Sequence, residues 1–117
     1  MALGIPGIDE EIYNDLMDGD ESLYLSLLNS FLTKTPDVIK KLRNVSKETL
    51  EGYATTIHGF KGACANICAQ EARIKAFSLE LKAKADDWEA VQAENAPFLK
   101  YIDELMLNLK DWYEKHQ

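Results

Sequence analysis

Large apolar side chains recur every three or four residues through most of this chain and nowhere alternate as a half-buried strand requires, so the sequence predicts helices throughout. From Leu23 the stripe runs through Leu27, Leu28, Phe31 and Leu32 and continues in Val38, Ile39 and Leu42, with Asp20 placed to cap the start. Pro36 bends this helix without ending it, because the apolar pattern resumes at once. Asn44-Val45-Ser46 makes a short connection in which Ser46 suits an N-cap. A third helix is expected from about Lys47 to about Ile67, where Tyr53, Ile57, Phe60, Cys64 and Ile67 form a core-facing seam. A fourth carries Ala72, Ile74, Phe77 and Leu81 and closes near Ala85, with Asp86 and Asp87 offering a new cap. The last helical region holds Trp88, Val91, Phe98, Tyr101, Ile102, Leu105, Leu109 and Trp112, and Pro97 either kinks it or starts its second half.

Ahead of these segments, Gly4-Ile5-Pro6-Gly7 is too rich in turn formers to be helix, whereas Ile8 to Met17 can form a short helix that stops near Gly19. Four long amphipathic segments joined by short connections predict antiparallel neighbours. The expected fold is therefore all-α, an antiparallel up-down-up-down four-helix bundle with a short extra N-terminal helix. Residues 1–7 are expected as a linker or arm and residues 8–117 as one domain, since a chain of 117 residues buries a single core.

The formal net charge of −7 is spread along the sequence, and such a surface repels phosphate backbones and anionic lipid heads, so neither nucleic acid nor membrane is an expected partner. No apolar run has bilayer length, and Met1 to Ile8 lacks the basic start and apolar stretch of a leader. A cytoplasmic monomer is expected. Cys64 and Cys68 lie four apart on one helix face and read as buried small hydrophobes, with no further cysteine nearby to complete a zinc set.

Of the two histidines, His116 is the penultimate residue, which leaves His58 for chemistry. At about 100° per residue, His58 falls roughly 130° from the centre of the third helix's seam and points to solvent. Its neighbours on that side are Ala54, Lys61, Gly62 and Ala65. Glycine within a helix costs up to about 1 kcal/mol relative to alanine, and close approach by another molecule would explain Gly62. Ala54, Gly62 and Ala65 then form a flat collar through which a partner reaches the ring, and Lys61 offsets charge on a phosphoryl group attached there. An ordinary surface histidine, with Gly62 merely relieving packing, fits the same residues equally well.

The run His58-Gly59-Phe60-Lys61-Gly62-Ala63-Cys64-Ala65-Asn66-Ile67 resembles the His-x-hydrophobic-Lys-Gly-small-small signature of histidine-containing phosphotransfer domains. Gly19-Asp20-Glu21-Ser22-Leu23-Tyr24 and Phe31-Leu32-Thr33-Lys34-Thr35-Pro36 resemble the start and middle of the helix that precedes the phosphorylated one, and the likeness covers roughly Ile8 to Lys115. It implies that His58 is the phosphorylated residue, Lys61 its supporting lysine and Gly62 its close-approach glycine. One position departs: Cys68 stands where many members have glycine, so the helix boundary after Ile67 is expected to be less sharp.

The resemblance further implies a carrier rather than a self-sufficient enzyme. The outer nitrogen of a neutral His58 imidazole would attack phosphorus, and the group would pass to and from an aspartate of a response-regulator receiver domain that brings its own Mg²⁺. A sensor or hybrid histidine kinase completes the expected partners, and the domain itself needs no cofactor. No glycine-rich nucleotide loop or carboxylate cluster at metal-site spacing would let it use ATP directly. Two rivals are a binding module whose His58 is never phosphorylated, disfavoured by Lys61 and Gly62, and an enzyme or metal site joining His58 to Cys64 and Cys68, disfavoured by the opposite helix faces. The turn-rich start Gly4 to Asp9 resembles the lead-in to such domains inside longer kinases and suggests an excised piece.

Overall fold

A computed structural model describes residues 3–117, so Met1 and Ala2 at the start of the expected arm lie outside the described residues. The element order is α1 (Glu10–Met17), α2 (Glu21–Arg43), a 3₁₀ turn (Lys47–Thr49), α3 (Leu50–Asn66), α4 (Gln70–Lys84) and α5 (Trp88–His116). Among the described residues there is no strand, and no helix is long and apolar enough to cross a membrane. The fold is all-α.

Aspartates begin three of the helices. Asp9, Asp20 and Asp87 each accept, through Oδ1, the backbone N–H three residues on, at 3.0, 2.9 and 3.2 Å. Helix α1 thus starts two residues after Ile8, which stays in the arm. The expected third helix begins as a 3₁₀ turn in which Ser46 N–H donates to Thr49 Oγ1 at 2.8 Å, and regular α-helix follows from Leu50. Both helix-internal prolines are exposed, and neither interrupts its helix: α5 runs unbroken past Pro97. At 1.5 Å per residue its 29 residues account for the molecule's longest dimension, 44 Å.

Cys68 does not blur the end of α3. It takes the left-handed conformation itself (φ 65°), so that Ala69 N–H reaches Cys64 O at 2.9 Å and Cys68 N–H reaches Ala65 O at 3.1 Å. These are the two bonds of a Schellman ending, which glycine usually completes. Asp86 closes α4 in the same way (φ 57°). The sharp turn after α3 brings α4 straight back along it.

Helix α3 packs most extensively on α4, while α2 meets α3 and α5, and α5 also meets α4. The expected α3 seam of Tyr53, Ile57, Phe60, Cys64 and Ile67 is buried throughout, as are Val91, Phe98, Ile102, Leu105, Leu109 and Trp112 of α5. Of the residues expected to face the core from α4, Ala72 is buried but Ile74, Phe77 and Leu81 are exposed, so the helix is turned from expectation and its core face is Ala72, Ala76, Leu79, Glu80 and Ala83. Alanines let two helix axes approach closely, which the larger side chains would prevent. The arm also packs: Ile5 and Ile8 join the core, and Gly7 (φ 92°) lies so near α5 that a Cβ would stand 2.9 Å from Leu105.

Candidate functional site around His58

His58 sits in the middle of α3 with its side chain 63% exposed, as expected from its angle to the seam. The ring is not free, however. Its Nδ1 lies 2.7 Å from Oε2 of Glu80 on α4, a carboxylate that is only 2% exposed. Lys84 Nζ lies 2.8 Å from the same oxygen, and Lys61 Nζ lies 2.7 Å from Oε1. Both lysine contacts are ion pairs outside hydrogen-bonding geometry, so His58 Nδ1 makes the one hydrogen bond to Glu80 among the described residues.

Burial pushes the Glu80 carboxyl up, but the Lys61 and Lys84 ammonium groups and the His58 ring pull it down more strongly, to about 2. An ionised carboxylate can only accept. Nδ1 is therefore the donor, and in a neutral ring the lone pair is left on Nε2, which has no protein partner among the described residues. The arrangement presents one imidazole nitrogen of fixed protonation outward and ties the other inward.

The residues expected around His58 fall differently. Gly62 is exposed, and a Cβ there would meet open space, so internal packing does not account for it. Ala65 is half-buried at the edge of the same surface. Ala54 is not part of an exposed collar: it is 7% exposed, because four residues before His58 it lies about 40° nearer the buried seam of α3. Lys61 is 21% exposed and engaged with Glu80, its Nζ 4.8 Å from the centre of the Phe77 ring. Along the other flank of α3, a groove of 420 Å³ toward α2 is lined by Lys34, Val38, Lys41, Thr55 and Gly59 among others.

Glu80 and Lys84 were missed by reasoning from sequence. The available signal was a carboxylate four residues after Ala76 and three before Ala83, on a face of small side chains; reading the seam through Ile74, Phe77 and Leu81 put Glu80 on the solvent side. Cys64 and Cys68 are buried free thiols, as expected. Burial raises them to about 12 and about 11, in Cys68 with a contribution from Asp9, so neither is a ready thiolate.

Comparison with family models, with curated proteins and with solved structures gives no match to this chain.

Proposed function

We propose that this chain is a histidine-containing phosphotransfer domain, which accepts a phosphoryl group on His58 Nε2 from a receiver aspartate and passes it to another receiver. The observation that carries the reading is the solvent-facing His58 ring, tied at Nδ1 to buried Glu80 with Nε2 left open, four residues from a glycine that the fold does not need. We read the four long helices, with connections too short for crossovers, as an antiparallel up-down-up-down bundle with α1 as the extra N-terminal helix.

In the transfer, the Nε2 lone pair forms the N–P bond while the P–O bond to the donor aspartate breaks, its electron pair returning to that carboxylate. Nδ1 keeps its proton and the ring becomes cationic, a charge that Glu80 faces at 2.7 Å. Gly62 leaves the approach open. The receiver supplies Mg²⁺ and its own cationic groups, so the domain acts as a carrier and not as an autonomous kinase. A histidine kinase upstream, cytoplasmic operation and a monomeric state belong to the same reading.

The test is incubation with receiver domains charged by acetyl phosphate. Wild type should acquire an acid-labile, base-stable phosphoryl label, and His58→Gln should acquire none. Label persisting on His58→Gln, or a wild type that no receiver labels, overturns the proposal.

A further inference from the structure

Lys84 has no part in the transfer just described, yet it shares an atom with it. It is the last residue of α4, its side chain is 59% exposed, and its Nζ reaches back one turn to Glu80 Oε2, the oxygen that holds His58 Nδ1. The two nitrogens are thus no further apart than their two short contacts laid end to end. Lys61 occupies the other carboxylate oxygen, 21% exposed and with its Nζ over the Phe77 ring. The two lysines are not equivalent. One lies largely buried beneath the site, and the other stands at its rim, more than half exposed.

We propose that Lys84 is a positioning residue for phosphoryl transfer at His58, dividing the charge of Glu80 Oε2 with the ring and thereby setting how firmly the Nδ1 proton is held. The proposal rests on the reading of His58 as the phosphoryl acceptor. An oxygen shared between an ammonium and an imidazole N–H gives each less than it would give either alone. Before transfer, Lys84 helps keep the carboxylate ionised and takes part of the charge of Oε2 from the Nδ1–H bond. Once Nε2 carries the phosphoryl group, the fate of the group depends on the Nδ1 proton. With that proton retained, the ring leaves as neutral imidazole as the N–P bond breaks, and the phosphoryl group passes readily to an acceptor oxygen or to water. With the proton released, the N–P bond is more durable. By competing for Oε2, Lys84 weakens the hold on the proton and lengthens the life of the phosphohistidine.

Lys84→Met removes the competing charge and keeps the stem, and Lys84→Arg restores the charge. In ¹⁵N and ¹H NMR of the unphosphorylated ring, Lys84→Met should move the Nδ1 proton downfield, as a stronger hydrogen bond requires, and Lys84→Arg should return it toward wild type. After phosphorylation by phosphoramidate, the Lys84→Met label should decay several-fold faster than wild type, and the Lys84→Arg label should decay near the wild-type rate. A labelled wild type whose Lys84→Met variant has the same Nδ1 shift and the same decay overturns the role of Lys84 alone. A wild type that takes no label on His58, from phosphoramidate or from charged receivers, overturns the underlying reading and this proposal with it. Lys84→Met should melt somewhat below wild type, since it takes one of three cationic partners from buried Glu80, and Lys84→Arg should melt near wild type; a Lys84→Met protein that shifts resonances across the whole core would make its role structural and overturn the proposal.

Discussion

His58 on α3 and Glu80 on α4 are 22 residues apart in the chain and 2.7 Å apart in space, and this single contact decides which ring nitrogen is available. Removing the carboxylate should therefore affect chemistry and fold differently. Glu80→Ala leaves Lys61 without its buried partner, but both lysines can reach water, so the expected loss of stability is about 1–3 kcal/mol, the scale for an orphaned polar group. Labelling of His58 should slow on the order of tenfold or more, as when an orienting partner of a histidine is removed. Glu80→Gln keeps an oxygen that can accept from Nδ1–H and should recover part of the rate. Receiver-to-protein transfer rates beside urea melts check this, and equal rates in the alanine and glutamine variants would defeat it.

The same carboxylate makes stability depend on pH. Glu80 stands at about 2 in the fold against an ordinary 4.5, and the groups facing it are Lys61, Lys84 and His58. A depressed carboxyl adds stability that is fully present above its ordinary value and is lost as pH falls toward the folded one. Relative to Glu80→Gln, wild type should lose stability as pH falls from about 5 toward about 2. Urea midpoints of the two proteins should converge on acidification; parallel curves would show that the Glu80 carboxyl is not depressed in the fold.

The sequence was informative where large side chains do the packing. In α3 and α5 the residues spaced by three and four are the buried ones, and the angle between that seam and His58 put the ring in solvent. It misled where small ones do. Helix α4 buries three alanines and a leucine, and hydrophobicity ranks Ile74, Phe77 and Leu81 above them. Only the close approach of α3, a tertiary fact, reverses that order. Glu80 was hidden by the same error, because a charged residue is assigned to solvent unless its partners are known, and these sit on a different helix or a turn away. Cys68 shows the other limit: the expectation of a blunt ending treated glycine as necessary for a left-handed residue, whereas the paired backbone bonds of the turn hold a cysteine there.

The rotation of α4 can be tested directly. Polar replacement of an exposed residue leaves nothing unfilled, so Ile74→Gln and Leu81→Gln should each change stability by no more than about 0.5 kcal/mol. Leu79→Ala empties a fully buried position and should cost about 2–5 kcal/mol. Denaturant melts that rank these the other way would place the core on the opposite face.

Asp86 carries the left-handed turn after α4 with no hydrogen bond to its side chain among the described residues, and it is exposed. A left-handed conformation costs a residue with a Cβ roughly 1–2 kcal/mol, part of which glycine loses again through its freedom when unfolded. Asp86→Gly should therefore raise stability by up to about 1 kcal/mol, read as a higher melting temperature. The same change at Cys68 would also remove a buried side chain, so there the gain should be smaller or absent.

Gly62 separates function from stability. A Cβ at this position would meet nothing within 4 Å, so alanine adds no clash and should hold or raise stability, by up to about 1 kcal/mol, because it is the better helix former. Gly62→Gln should likewise leave the fold intact, its side chain standing in solvent one turn from His58. In the proposed transfer, that same side chain would occupy the space through which a receiver brings its aspartate to Nε2, and transfer should slow strongly while the melting temperature holds. If Gly62 were there for packing, both substitutions would lower the melting temperature, and any loss of transfer would follow unfolding. Melts and transfer rates taken on the same samples distinguish the two, and a Gly62→Gln protein that melts early, or that transfers at the wild-type rate, would remove the glycine from the site.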